Sequence, residues 1–482
     1  MLQAHSSLRA FLRKRAFLRK YVMLSVLAAV PVLIAGSAGA DDLRRVKTEP
    51  AVRLLDVFPV PVSAANTTSG ALYSFDISWV DQGTQKYYLA DRSNKVIDTL
   101  DAKTPISVTQ FPPNNGFGPF NGFTPCPPPP VGPTNPGAND CAGPNGVTSA
   151  PSPQPWLFVT DAPSRVLCFD SSFTPPKTVS EVHTNDTDPT RADELAYDPA
   201  DGLILAINNA ASPPYGTLIS VDKATCKLTR GTTISLPFAT NGAEQPVWDP
   251  GTHKFFLSIP QIGGVTTQGA VLRISTAGVI EAMYGVSLCS PAGLTLGPNE
   301  ELLVGCNTAF DTANGVWTGN ADRDTNIATP YQVILDATTG FIVRYVPGVG
   351  PGDEVWFNSG DGHYYTASSG SPYAPNAITP ARPPLGTATT APTLTAQGAA
   401  VLGVIDAFSH SLDQLVPTFQ VPAVTAPDLN PHPAGTAHSV AANSKNNLVF
   451  VPIAANNAFG FPYGSCLTGC IAVYGRSDND KD

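Results

Sequence analysis

Asp193-Glu194-Leu-Ala-Tyr-Asp198-Pro-Ala-Asp-Gly-Leu-Ile-Leu-Ala-Ile207 and Glu244-Gln-Pro-Val-Trp-Asp249-Pro-Gly-Thr-His-Lys-Phe-Phe-Leu-Ser258 are two copies of one pattern. Each begins with an acidic residue. A short apolar strand follows, then a polar turn opened by Asp, then a second apolar strand. Asp353-Glu354-Val-Trp-Phe-Asn358-Ser-Gly-Asp-Gly-His-Tyr-Tyr-Thr-Ala367 is a third copy, and others begin at Asp76 and His438. Weaker copies start near Asn145 and Ala292. The seven starts lie about 50 residues apart wherever no Pro/Gly-rich insertion intervenes, a period diagnostic of stacked supersecondary units. After each strand pair come two further strand-like runs, such as Val96-Ile-Asp-Thr-Leu100. Four strands per repeat is the pattern of a β-propeller blade.

The ends of the chain support a ring. The last repeat stops after Cys470-Ile-Ala-Val-Tyr-Gly-Arg476, one strand short, and an orphan strand, Ala51-Val-Arg-Leu-Leu-Asp-Val-Phe-Pro59, precedes the first. Pairing the two would close the circle and leave no sheet edge between first and last blades. The expected fold is therefore all-β, a single seven-bladed propeller closed by the N-terminal strand. Six blades would follow if the copy near Asn145 is not a repeat. A composition of 48 Pro, 41 Gly and 14% charged residues, with few apolar runs of helical period, agrees with this class.

Residues 1–40 read as a signal peptide rather than as part of the fold. Arg9, Arg13, Lys14, Arg15, Arg19 and Lys20 precede an apolar run from Tyr21 to Gly36, and Ala38-Gly-Ala40 fits a small-x-small cleavage site. The propeller is expected over 41–475, with a polar tail at 476–482. This places the mature chain in the periplasm or the medium, without a membrane span and as a monomer. Cleavage removes six basic residues, leaving 22 Lys+Arg against 38 Asp+Glu, a net charge of −16. Such a surface disfavours nucleic acid as a partner and suits cations. The eight cysteines fit an oxidising compartment. Their spacing suggests Cys126–Cys141, Cys289–Cys306 and Cys466–Cys470, leaving Cys168 and Cys226. Spacing alone leaves other connectivities open.

Aligned on the turn residue, Asp76, Asn145, Asp193, Glu244, Ala292, Asp353 and His438 fall at equivalent positions, the start of each channel-lining strand. Glu194 and Glu354 lie one residue on. So many carboxylates at one opening need compensation, and a bound cation is the simplest source. The expected ligands are Asp76, Asp193, Glu244, Asp353 and His432. Oxygen donors favour a divalent ion, Ca²⁺ first. His253 and His363 fall in turns at the opposite face and read as surface residues. Asp322-Arg-Asp324-Thr-Asn326 reads as a solvated insertion.

Glu244-Gln-Pro-Val-Trp-Asp-Pro250 resembles the Glu-Gly-Pro-Val-Trp-Asp-Pro motif of the SMP-30/gluconolactonase family, with Gln245 in place of the Gly. That resemblance implies a six-bladed ring and makes Glu244 a metal ligand. The wider repeat is similar to the YVTN/NHL-type exported propellers. Two functions follow as expectations. The first is a metal-dependent hydrolase or lyase acting on a small lactone or ester, with His438 or Glu194 as general base toward a metal-bound water. The alternative is a non-catalytic binding or scaffold propeller with a protein or small-molecule partner.

Overall fold

The computed structural model describes residues 50–123, 126, 138–310, 316–317, 331–350, 352–371, 399–418, 438–455 and 465–476. The signal-peptide segment, the tail beyond Arg476, His432 and the Asp322–Asn326 insertion lie outside them. Among the described residues the only helices are two 3₁₀ turns, Ala138–Cys141 and Pro298–Glu300. Among the described residues no helix is long and apolar enough to cross a membrane.

The strands form seven antiparallel sheets. Blade 1 contains Ser78–Asp81, Lys86–Asp91, Val96–Asp101 and Thr109–Phe111. Blade 2, the weakest repeat in sequence, contains Val147–Ser149, Trp156–Asp161, Arg165–Asp170 and Lys177–His183. Blades 3 to 6 begin with Leu195–Asp198, Pro246–Asp249, Cys289–Leu296 and Glu354–Asn358. Blade 7 contains Ala441–Asn443, Leu448–Ile453 and Cys470–Arg476, and its fourth strand is the N-terminal Val52–Pro59. That strand runs antiparallel to Cys470–Arg476 with Val52 opposite Arg476 and Pro59 opposite Cys470. The ring thus closes as the end strands require. Gln414 of blade 6 reinforces the closure: its side chain accepts the Val52 N–H at 2.9 Å and donates to the Val52 carbonyl at 2.6 Å.

The repeat is written in its turns. Asp81, Asp198, Asp249, Asn358 and Asn443 each end a first strand, and their side-chain oxygens accept backbone N–H groups two residues on. This is the local hydrogen bonding that Asp and Asn offer in tight turns. Four residues after each one, Gln85, Gly202, His253, Gly362 and Asn447 all have positive φ. His253 is thus a turn residue, as expected.

Apolar clusters fill the spaces between neighbouring blades. Phe111, Val147 and Leu157 join blades 1 and 2; Phe158, Tyr197 and Ile204 join blades 2 and 3; Leu205, Phe255 and Leu272 join blades 3 and 4. Each blade therefore buries its two faces against its neighbours, which makes the ring one cooperative unit despite its length. All four disulfides pair as the spacing suggests, and Cys168–Cys226 ties blade 2 to blade 3. Bridges of this kind persist in oxidising compartments.

Candidate functional site: the axial channel

The first strand of each blade lines the axis. Asp76, Asn145, Asp193 and Glu244 each donate their backbone N–H to the second strand of their own blade, to Ala90, Thr160, Ile207 and Ser258. This common register confirms that they are equivalent. Asp76, Asp193, Glu194, Glu244, Asp353, Glu354 and His438 come together around one polar cavity of about 260 Å³. Five of the seven repeat starts, Asp76, Asp193, Glu244, Asp353 and His438, do converge; Asn145 sits behind Arg92, Ala292 has no polar group, and the expected ligand His432 lies outside the described residues. His183 ends the outer strand of blade 2 with Nδ1 3.1 Å from the Pro163 carbonyl oxygen and does not line the mouth.

Two residues that the repeat alignment overlooks, Arg92 and Arg191, also line this cavity. Arg92 is 4% exposed. Its guanidinium pairs with Asp76, lies 3.7 Å from Asp193 Oδ1, and donates from Nε to Asn145 Oδ1 at 2.8 Å. Arg191 Nη2 donates to Asp193 Oδ2 at 2.9 Å, and its Nε lies 2.8 Å from Asp193 Oδ1 in an ion pair. His438 stacks on Phe75 with ring centroids 4.8 Å apart, and its Nε2 is 3.8 Å from Asp76 Oδ1. A second alignment exposes the arginine signal. Arg92 follows the end of the second strand of blade 1, where blade 3 has Asn209, another residue of this cavity.

The ionisation states follow from these contacts. Burial works to raise Asp76, but Arg92 and His438 outweigh it and hold the carboxyl well below the usual range. Burial pushes Asp193 up to about 6 against the pull of Arg191, so it is still ionised at neutral pH. Burial, then the charges of Asp193 and Asp353, push Glu244 up to about 8. Burial and neighbouring carboxylates push Glu194 and Glu354 far up. His438 is raised, because Asp76 and Asp353 outweigh its burial. The mouth thus sets aspartates against two guanidinium groups and an imidazole whose protonated form is favoured, while burial and mutual repulsion favour the neutral form of the three glutamates.

This arrangement bears on the metal that the Glu244 motif implies. One carboxylate oxygen of Asp76 and one of Asp193 accept guanidinium N–H donors, and Asp193 Oδ1 lies 2.8 Å from Arg191 Nε in an ion pair. The positive charge that the sequence reading assigns to a cation is supplied by the chain itself. A divalent cation beside two buried arginines would add repulsion, so these residues do not fit the ion. Among the described residues, the His/carboxylate trio whose ligand atoms lie within 4.8 Å of one another is elsewhere: His363, Asp406 and Asp413. His363 is not the surface residue its turn position suggests. It is 5% exposed, with Nδ1 2.8 Å from the Asp361 carbonyl oxygen and Nε2 3.1 Å from Asp413, and Arg476 lies 3.3 Å away. The following strand of blade 7 covers it.

Beyond Glu194 and Glu354 the channel changes character. A cavity of about 440 Å³ extends from these two carboxyl groups to the first-to-second-strand turns at Gly83, Ser152 and Pro199. First strands of six blades wall it. Trp79, Trp248, Trp356, Phe357 and Tyr197 supply most of its aromatic surface. Trp79 packs edge-on to Trp356 with centroids 4.9 Å apart, and its Nε1 donates to Ser149 Oγ at 2.9 Å. Glu194 Oε2 and Trp248 Nε1 are buried without a hydrogen-bond partner. The sequence carried a signal for this wall as well: three of the five tryptophans fall in first strands.

No family model matches the chain, and no curated protein matches it. Among solved structures, it is similar to a chain in the crystal structure of a mitotic checkpoint complex, at 10% identity and a TM-score of 0.48, over 94% of this chain and 100% of that one. It is also similar to the WD40 β-propeller domain of Doa1, at 10% identity and a TM-score of 0.47, over 89% of this chain and 98% of that one.

Proposed function

We propose that this chain is a non-catalytic binding propeller whose axial channel receives a small, largely apolar ligand through the face of the first-to-second-strand turns. One observation carries the reading: the aromatic cavity of about 440 Å³ that ends on the buried, unpartnered carboxyl oxygen of Glu194. Ligand sites are of this size, mostly apolar, with a few polar groups at one end to fix orientation. The hydrolytic alternative is weaker on the same geometry. It needs Glu194 or His438 as a general base, and the surroundings of both favour the protonated form.

Intrinsic fluorescence tests the proposal, because three tryptophans face the cavity. Titration with 3-phenyl-1-propanol and 3-phenylpropylamine should change the emission saturably for at least one of the two. Trp356→Leu should reduce that response without altering the far-UV circular dichroism. No saturable change with either compound, up to its solubility, would overturn the reading.

A further inference from the structure

We infer that the ligand of the axial cavity is an organic ammonium ion, an apolar or aromatic body carrying one positively charged amine that docks between Glu194 and Glu354. This rests on the binding reading above and names its ligand class. Three features point to a cation. First, every ionisable side chain in the wall with a charge to offer is acidic: Asp81, Glu194 and Glu354, with no Lys, Arg or His among the described lining residues. The guanidinium groups of the mouth lie on the far side of the two glutamates, in the other cavity. Second, Glu194 is 8% exposed and its Oε2 faces no donor. A buried carboxyl oxygen without a partner costs about 1–3 kcal/mol, which an N–H donor on a ligand would recover. Third, Trp79, Trp248 and Trp356 line the same cavity as those carboxyls, and indole faces attract ammonium groups. A ligand anion would meet two carboxyls and no basic partner. A neutral alcohol would leave the indoles and the second carboxyl unused.

The proton balance is explicit. Burial and the neighbouring carboxylates push the Glu194 carboxyl far up and favour its neutral form in the empty cavity. Docking of R–NH₃⁺ converts Glu–COOH to Glu–COO⁻ paired with the ammonium, and one proton leaves to solvent. No covalent bond to carbon forms or breaks.

Calorimetric titration of the full mature chain with 3-phenylpropylamine and its near-isostere 3-phenyl-1-propanol separates the outcomes. The expected result is a preference for the amine of roughly tenfold or more in Kd, the value of a charge-assisted hydrogen bond in a buried site. Repeating the titration at pH 7 in buffers of different ionisation enthalpy should show release of about one proton for the amine and none for the alcohol. Glu194→Gln keeps the shape of the neutral acid. It should retain alcohol binding while the amine preference and the proton release disappear. Equal affinities, or an amine preference without proton release and unaffected by Glu194→Gln, would overturn the ammonium assignment and leave the binding channel standing. Failure of both compounds to bind would remove the channel reading as well.

Discussion

Arg92→Met is the substitution that most directly probes the mouth. The methionine keeps much of the stem volume and removes the guanidinium. Asp76 then loses its ion pair, the Asn145 side-chain oxygen loses its donor at 2.8 Å, and Asp193 loses a cation 3.7 Å away. Breaking one partner out of a buried pair costs about 3–5 kcal/mol, because an uncompensated charge remains. Unfolding entropy of about 2.1 cal/mol/K per residue gives roughly 0.9 kcal/mol/K for a propeller of roughly 425 residues. The expected fall in Tm is therefore only about 3–6 °C, readable by calorimetry although the free-energy loss is large. Asp76→Asn alone should cost a comparable amount, since it strands Arg92. The double variant should recover at least half of the summed loss, because neither charge is then left alone. The pH dependence adds an independent sign. Asp76 is held below its ordinary value, so its contribution is present above the unfolded carboxyl range and disappears as pH falls through its folded pKa. The acid limb of the wild-type stability curve should flatten in Arg92→Met. Additive single losses, or an Arg92→Met protein within about 0.5 kcal/mol of wild type, would refute a self-neutralised mouth.

Glu244 should show the opposite sign: its folded pKa is raised from 4.5 to about 8, so its contribution is complete below pH 4.5 and is lost as pH rises through about 8. Glu244→Gln should therefore match wild type at pH 5 and exceed it in Tm at pH 9, and a variant less stable than wild type at pH 9 would contradict the assignment. Metal analysis of the purified mature chain should find no stoichiometric calcium, and EDTA should leave Tm unchanged; one tightly held ion per chain, or a fall of about 5 °C on chelation, would restore the metal reading. Replacing Cys168 and Cys226 by Ala should destabilise the ring by about 4 kcal/mol, from the chain entropy released by opening a loop of this length; denaturant unfolding checks it, and a loss below about 1 kcal/mol would show that the denatured ensemble is restrained by other means.

The fold was legible because its signals are local and repeated. Asp or Asn ends the first strand in five blades, with a short apolar strand on either side of the turn, and the pattern survives even in blade 7, where Asn443 stands for Asp. The closing strand was legible from a deficit at one end matched by a surplus at the other. The carboxylate ring was legible for the same reason: equivalent positions in equivalent strands meet at the axis. The arginines were not, because they occupy positions that the other repeats do not share. Arg92 follows a second strand, and Arg191 lies in the connection ahead of Asp193. An alignment on one turn could see the negative charges and not what neutralises them. The burial of His363 was not legible for a related reason: no other repeat shares the contact that Arg476, at the end of the Cys470–Arg476 strand of blade 7, makes with it.

That asymmetry changes what the axis can do. Had the carboxylates stood alone, the mouth would have needed a cation, and a Lewis-acid hydrolase would have followed. With Arg92, Arg191 and His438 among them, the charges of Asp76 and Asp193 are offset within the chain, and deeper in the channel burial favours the neutral form of Glu194 and Glu354. A neutral buried carboxyl cannot act as a base at pH 7. It can, however, exchange its proton for an ammonium ion at little desolvation cost, because the group is already out of water and the partner brings its own charge. The polar mouth and the aromatic cavity are then two sides of one arrangement. The arginines confine negative charge to the mouth, and Glu194 and Glu354 stand at the boundary, where an entering cation is the species that can ionise them.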